Sequence, residues 1–127
     1  MTRINLIDPA ELCDQHLLAE LRELKRIPNS LLSGKLNPTN IPERFCLGKG
    51  HVKFFSDKLE FLCERYFSLL EEATMRGFKV SSLWPDRCSN LPLSLWKDYT
   101  PTEEDTRLSR ERIEQKMPIR ARWTRRA

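Results

Sequence analysis

The sequence predicts an all-α protein, a single domain over residues 1–127 with three main helices and long loops that wrap around them. Two long stretches place apolar residues at steps of three and four, which is the period of an α-helix. Helix-start signals stand at Asp8 and Thr102. A chain of 127 residues with 39% hydrophobic content is about the size of one independently folding domain with one core.

The first helix is predicted to start at Asp8, because an acid at the N-cap is followed by Pro9 and, three residues after the cap, by Glu11. It is expected to run to about Ile27. At about 100° per residue, one arc of this helix is apolar and should face the core. Its members are Ala10, Cys13, Leu17, Leu21 and Leu24.

The opposite arc of the same helix is polar and carries Gln15, Ala19, Arg22 and Arg26, with His16, Glu20 and Glu23 beside them. Arg22 and Arg26 are one turn apart, where equal charges repel unless an anion such as phosphate lies between them. Glu23 beside these cations should be ionised, able to stabilise a developing positive charge or to shuttle protons. The alternative is a solvated face of ordinary charges that includes a surface histidine.

Residues 28–46 contain three prolines and one glycine and are expected to form a loop that includes about one helical turn. Gly48 and Gly50, on either side of Lys49, would let backbone N–H groups approach a phosphate. A plain turn is the favoured explanation, since two glycines at this spacing are far from a phosphate-binding loop motif. The strongest helix follows and should end at Gly77. Its expected core stripe is Phe55, Leu59, Leu62, Tyr66, Leu69 and Ala73, widened by Phe54, Phe61, Phe67 and Leu70.

Residues 80–100 suggest a wrapping loop with a short turn near 93–97, in which Trp84 and Trp96 cover the core. A third helix should begin after Thr102 and continue to about Lys116. Arg112 would then lie one turn from Lys116, as in a phosphate clamp.

The chain after residue 106 is strongly basic, with eight cations against Glu111 and Glu114, which favours a polyphosphate partner over a merely solubilising tail. Trp123 within it would stack on a base or cover the core, and the sequence leaves both open. The cations are Arg107, Arg110, Arg112, Lys116, Arg120, Arg122, Arg125 and Arg126.

Four cysteines without CxxC or metal-ligand spacing are expected to be reduced thiols, so we expect neither disulfides nor a metal site. No apolar run approaches the roughly 20 residues of a membrane span, and the N-terminus lacks a signal peptide. We therefore expect a cytoplasmic, nucleoid-associated protein without membrane contact, in a bacterial or virus-infected cell.

Thr2 is small enough for the initiator Met to be removed, which would expose an α-amine. Such an amine has a pKa of about 8, so a useful fraction is neutral near neutral pH and can attack a sugar C1′ or condense with an aldehyde. An ordinary chain terminus is the alternative.

These residues resemble a known family, the phage-type pyrimidine-dimer DNA glycosylases and AP lyases, also called dimer-specific endonuclease V. The matching strings in the first third are Thr2-Arg3-Ile4-Asn5-Leu6, Glu11-Leu12, Asp14-Gln15-His16-Leu17, Ala19-Glu20, Arg22-Glu23-Leu24 and Arg26. Later strings are Leu47-Gly48, Gly50-His51-Val52, Phe54-Phe55, Asp57-Lys58-Leu59-Glu60-Phe61-Leu62, Arg76-Gly77-Phe78, Asp98-Tyr99, Pro101, Arg112 and Lys116.

The resemblance implies an all-helical enzyme, expected as a monomer, that acts on damaged double-stranded DNA without metal or cofactor. Thr2 would attack C1′ of the 5′ nucleotide of a cyclobutane dimer, and the resulting imine would permit β-elimination of the 3′ phosphate. Glu23 would be the essential carboxylate. The enzyme would extrude a base opposite the lesion, which is cheapest where pairing is damaged. The DNA-positioning residues implied by the resemblance are Arg3, Gln15, His16, Arg22 and Arg26.

The chain departs from the family in a shorter segment at 28–44 and in its C-terminal tail. That tail is rich in Tyr in the family, whereas Trp123 is the aromatic kept here. Two alternatives therefore stand beside the dimer-specific glycosylase: a lyase retargeted to another lesion or to abasic sites, and a non-catalytic basic helical module that binds bent or damaged DNA.

Overall fold

The computed structural model describes residues 2–81 and 83–125, and within them it contains five α-helices and no strand. The all-α prediction is confirmed. The helices are α1 (Asp14–Leu24), α2 (Arg26–Ser33), α3 (His51–Phe55), α4 (Leu59–Met75) and α5 (Glu103–Gln115), with 3-10 turns at Pro9–Glu11, Asp86–Asn90 and Leu93–Leu95. In the core, α1 packs against α4 and α2.

The first predicted helix is interrupted. Asp8 does cap a helical start, accepting the Ala10 N–H at 2.9 Å, but that start is a single 3-10 turn. Leu12 and Cys13 are extended, so the regular helix begins only at Asp14. The prediction that Ala10 is buried is wrong, because the extended residues rotate the turn away from the stripe. Burial of Cys13, Leu17, Leu21 and Leu24 is confirmed.

The loop predicted for residues 28–46 begins instead as helix. Helix α2 contains Pro28, which a helix tolerates in its first turn because the N–H there has no helical partner. Gly34 ends α2 with a φ of 80°, a left-handed conformation that glycine adopts without strain. Since Ile27, Pro28 and Leu31 are buried, tertiary packing outweighs the breaker signals.

The predicted central helix is also interrupted, since residues 56–58 separate α3 from α4. The predicted core stripe of this helix is confirmed. The prediction that Phe67 widens the stripe is wrong, because Phe67 is 53% exposed. At the end of α4, Phe78 N–H donates to Ala73 O and Gly77 N–H to Thr74 O, both at 3.0 Å. This pattern is the glycine-terminated stop that was predicted.

Helix α5 agrees with its prediction. The Thr102 side chain accepts the Asp105 N–H and the Asp105 side chain accepts the Thr102 N–H, forming a capping box. Trp84 and Trp96 pack against the core as expected. Among the described residues, no helix has the length and apolar character needed to cross a membrane.

Candidate functional site: a cationic cleft beside the N-terminal segment

The N-terminal segment, residues 2–7, is buried between the helices and held through its backbone. Ile4 N–H donates to Nε2 of His51 at 2.9 Å, and Leu6 N–H donates to Oγ of Ser109 at 2.8 Å. Ile7 O accepts from Arg65 Nη1. Ile4 itself is fully buried. The start of the chain is therefore fixed by residues that lie far away in sequence.

His51 is neutral in this arrangement. Because its Nε2 accepts from Ile4, its proton must lie on Nδ1, which donates to Cys46 O at 2.9 Å. Burial first, and then the nearby cations Arg112 and Arg3, lower the pKa of His51 to about 4 against the opposing effect of its hydrogen bond to Cys46 O. His51 is thus a fixed hydrogen-bond acceptor for the segment at neutral pH.

Arg112 of α5 binds the other side of the same peptide. Its Nη2 donates to Ile4 O at 3.2 Å and to Asn5 Oδ1 at 3.4 Å. Burial, and then the neighbouring charge of Arg3, lowers the pKa of Arg112 to about 10, which leaves it cationic at neutral pH. His51 and Arg112 together hold the N–H and C=O of Ile4, two residues from Thr2.

A cleft of about 220 Å³ opens between the N-terminal segment, α1 and α5. It is lined by Arg3, Asn5, His16, Ala19, Glu20, Glu23, Arg112, Ile113 and Lys116.

The two carboxylates of the cleft have different environments. Glu20 is buried, binds Arg65 through two hydrogen bonds of 2.8 and 3.0 Å, and accepts from Asn5 Nδ2 at 2.9 Å. Glu23 is half-buried and makes no ion pair within residues 2–81 and 83–125. The charge of Glu20 is therefore already paired with Arg65, while the carboxylate of Glu23 is available to a ligand.

Two buried nitrogens in the cleft wall lack hydrogen-bond partners among the described residues: Nδ1 of His16 and Nε of Arg112. The other ring nitrogen of His16 lies 3.1 Å from Lys116 O. Buried polar atoms in folded proteins are nearly always paired, so these two indicate a place for a polar group of a ligand or for water.

The cleft brings together five residues named from the sequence: Arg3, His16, Glu23, Arg112 and Lys116. Thr2 immediately precedes Arg3 and is itself buried.

Other residues named from the sequence lie outside the cleft. Arg22 and Arg26 are exposed and do not line it, and Lys25 separates the two helices that carry them. The cations near Glu23 in the cleft therefore come from the N-terminal segment, from α5 and from Lys116 at the C-cap of α5. Gly48 and Lys49 are exposed on the turn before α3, where Gly48 O accepts the His51 N–H.

Gln15 binds the chain's own tail segment, residues 116–125. Its Nε2 donates to Arg120 O at 2.7 Å, and its Oε1 accepts the Arg122 N–H at 3.1 Å. Trp123 is half exposed, and its indole N–H donates to Glu11 O at 3.1 Å. The tail segment thus lies against the start of α1, next to the cleft.

Part of the basic C-terminal charge is neutralised within the fold. Arg107 pairs with Glu104 and Glu111, and Arg110 pairs with Glu11. The charge predicted for the C-terminal part of the chain was too high, because it included only acids after residue 106 and left out Glu104 and Glu11. Arg120, Arg122 and Arg125 are exposed without an ion pair to the described residues, and Arg126 lies outside them.

Sequence reasoning did not name Asn5 or Glu20 as site residues. A signal was present for both. Glu20 precedes Glu23 by three residues, which places the two on one helix face. Asn5 follows Arg3 by two residues, which places them on the same side wherever the backbone is extended. Only the tertiary structure shows Arg65 meeting Glu20.

The fold and the cleft define a helical protein in which three cations meet one carboxylate, unpaired among the described residues, beside a buried N-terminal segment. This arrangement is suited to a polyanionic substrate. The family profile described as pyrimidine dimer DNA glycosylase matches residues 1–86, more than half of the chain. The chain belongs to this family, which confirms the resemblance and makes DNA its substrate. The match includes Arg3, His16 and Glu23, whereas Arg112 and Lys116 follow it.

Proposed function

We propose that this protein is a DNA glycosylase with coupled AP lyase activity on cyclobutane pyrimidine dimers in duplex DNA, with the Thr2 α-amine as nucleophile and Glu23 as the essential carboxylate. The observation that carries the proposal is the position of Glu23, which has no ion pair within residues 2–81 and 83–125, in a cationic cleft whose wall includes Arg3, the residue after Thr2.

The chemistry requires an amine, an acid–base group and a site for phosphate. The neutral amine of a processed Thr2 supplies the electron pair that forms a bond to C1′, while the glycosidic bond breaks and its electrons leave with the base. The substituted nitrogen loses a proton, and its electron pair then forms the C=N bond while the C1′–O4′ bond breaks. The ring oxygen leaves with the electrons of that bond and takes up a proton as the 4′-hydroxyl, which gives a protonated imine at C1′. Removal of a C2′ proton then expels the 3′ phosphate by β-elimination.

Glu23 suits this sequence because both protonated nitrogen and the developing positive charge at C1′ are stabilised by a carboxylate. Its charge is not cancelled by an ion pair to the described residues. Arg3, Arg112 and Lys116 would bind the phosphates on either side of the opened nucleotide. His16 and Arg112 each offer the substrate a nitrogen that has no hydrogen-bond partner in the described part of the chain.

Borohydride trapping on an abasic duplex tests the proposal. The processed protein should form a reducible imine, and peptide mapping should place the adduct at Thr2. Acetylation of the amine should abolish trapping while DNA binding remains. Mass spectrometry of the purified protein establishes whether Met1 has been removed before the assay.

A charge-matched pair of variants isolates the carboxylate. Glu23→Gln should lower turnover by about a hundredfold or more, the usual contribution of a positioned acid–base group. Glu71→Gln removes the same charge from an exposed position of α4 outside the cleft and should leave turnover unchanged. An adduct on a lysine would refute the assignment of Thr2, and a protein that binds DNA but forms no adduct would be the non-catalytic module.

The tail supports a second candidate, a lyase directed at abasic sites or another lesion. Trp123 is the aromatic residue of the tail segment, and its indole N–H is already bonded to Glu11 O. Competition between dimer-containing and abasic duplexes separates the two substrates: preferential cleavage of the dimer supports the first candidate.

A further inference from the structure

The tail segment carries an exposed apolar side chain at the apex of a turn beside the cleft. Ile119 is fully exposed, and Met117 and Trp123 on the same segment are partly exposed. Turn positions usually carry Gly, Pro, Asn, Asp or Ser, so a solvated isoleucine there is unusual.

The turn is fixed at both ends. On one side of Ile119, the carbonyl of Lys116 lies 3.1 Å from Nε2 of His16. On the other side, the carbonyl of Arg120 accepts from Gln15 Nε2 at 2.7 Å. Asp14 N–H further donates to Arg122 O at 2.6 Å. The turn that carries Ile119 is therefore held against α1 beside the cleft, because His16 and Lys116 also line that cleft.

Positive charge surrounds the projection. Lys116, Arg120 and Arg122 flank Ile119 in sequence, and each is exposed without an ion pair to the described residues. Duplex DNA that binds these cations through its phosphates would bring its base stack to the same surface. An exposed apolar side chain there would meet the stacked base pairs. Proteins that kink DNA insert such side chains between base steps.

The geometry points to Ile119 as a wedge that enters the base stack next to the damaged nucleotide and helps to hold the duplex open over the cleft. The occupant of this surface is duplex DNA, argued from the cations around the turn and from its contact with the cleft wall. The inference rests on the proposed function for the position of the damaged nucleotide. It assigns a role to a residue outside residues 1–86, the part that matches the family.

Because Ile119 is fully exposed, its replacement should leave the fold intact. Ile119→Ala removes the wedge, and Ile119→Leu retains an apolar side chain of equal size. Leu93→Ala is the matched control, since Leu93 is also largely exposed but belongs to the Leu93–Leu95 turn and not to the tail segment.

The first measurement is fluorescence of 2-aminopurine placed beside a tetrahydrofuran abasic analogue, which reports unstacking and requires no chemistry. Wild type, Ile119→Leu and Leu93→Ala should raise the fluorescence on binding, and Ile119→Ala should lose most of that rise. An equal rise with Ile119→Ala would overturn the wedge.

The second measurement is borohydride trapping on an abasic site in a fully paired duplex and in one with mismatches around the site. Ile119→Ala should form the trapped adduct about tenfold more slowly on the paired duplex, because the base pairs around the abasic site must be unstacked there. On the mismatched duplex its rate should be nearly that of the wild type. Equal loss on both duplexes would show an ordinary contact and refute the wedge. If wild type formed no adduct yet unstacked DNA through Ile119, the proposed lyase would fail while the wedge remained.

Discussion

The backbone N–H of Ile4 donates a hydrogen bond of 2.9 Å to Nε2 of His51, the first residue of α3. Arg112 donates to the carbonyl of the same residue from α5. The position of the N-terminal segment is thus set by two side chains that lie 47 and 108 positions away in sequence. Since Thr2 precedes Ile4 by two residues, any chemistry of its amine depends on this pair.

Two replacements of His51 should distinguish the contribution of its hydrogen bonds to stability from the contribution of its side-chain volume. His51→Leu leaves Ile4 N–H and Cys46 O buried without partners, and we expect the free energy of unfolding to fall by about 1–3 kcal/mol for each. His51→Gln has one acceptor and one donor and should recover much of the stability. Urea unfolding measures both variants.

The trapping rate of the same variants distinguishes positioning of Thr2 from stability alone. Ser109→Ala is the control, because it removes the bond to Leu6 N–H further along the segment. We expect His51→Leu to slow imine formation more than Ser109→Ala does at equal fraction folded, with DNA affinity unchanged. Equal rates in the two variants would contradict a positioning role for His51.

Stability should decrease in mild acid because of His51. Its ordinary pKa is 6.5, and burial lowers the pKa in the folded protein to about 4. Between these values the unfolded chain binds more protons, so the free energy of unfolding falls as the pH falls from 6.5 to 4. The full difference corresponds to about 3 kcal/mol.

Urea midpoints measured between about pH 7.5 and 4.5 for wild type and His51→Gln test this dependence, since glutamine does not titrate. Asp14 and Asp57 act at lower pH: hydrogen bonds and neighbouring cations outweigh burial and lower the pKa of each carboxyl below 3.8. Parallel pH profiles in the two proteins would rule out His51 as the source.

The salt dependence of DNA binding should distinguish free cations from paired ones. Lys116 lines the cleft without an ion pair to the described residues, whereas Arg107 is paired with two glutamates. Lys116→Ala should lower the slope of log affinity against log salt by about 1, and Arg107→Ala should change it much less. Fluorescence anisotropy over a salt series measures both slopes, and equal changes would show that Arg107 also contacts phosphate.

The buried pair between Glu20 and Arg65 should be required for the fold of the cleft. Glu20→Ala leaves the guanidinium of Arg65 without its carboxylate, and we expect a loss of about 3–5 kcal/mol. The double variant Glu20→Leu with Arg65→Met removes both charges and should be more stable than Glu20→Ala. Urea unfolding of the wild type, Glu20→Ala and the double variant measures the difference. A double variant no more stable than Glu20→Ala would contradict the explanation that the unpaired charge of Arg65 causes the loss.

Local signals in the sequence were most accurate where neighbouring residues alone determine the structure. The caps at Asp8 and Thr102, the glycine stop at Gly77 and the stripe along α4 depend on contacts within a few residues. The same reasoning failed where packing decides the backbone. Pro28 reads as a breaker but lies inside α2, since burial of that helix outweighs the local preference.

The sequence by itself determined the helical class, the polar face that carries His16 and Glu23, and the identity of the cations that could bind phosphate. Tertiary structure decided which of those cations meet the carboxylate: Arg3, Arg112 and Lys116 line the cleft, while Arg22 and Arg26 lie outside it. The physical reason is that charges on one helix are arranged by its period, whereas the cleft is formed where three separate segments pack. That packing buries the N-terminal segment and pairs its backbone with His51 and Arg112, contacts that no sequence spacing reveals.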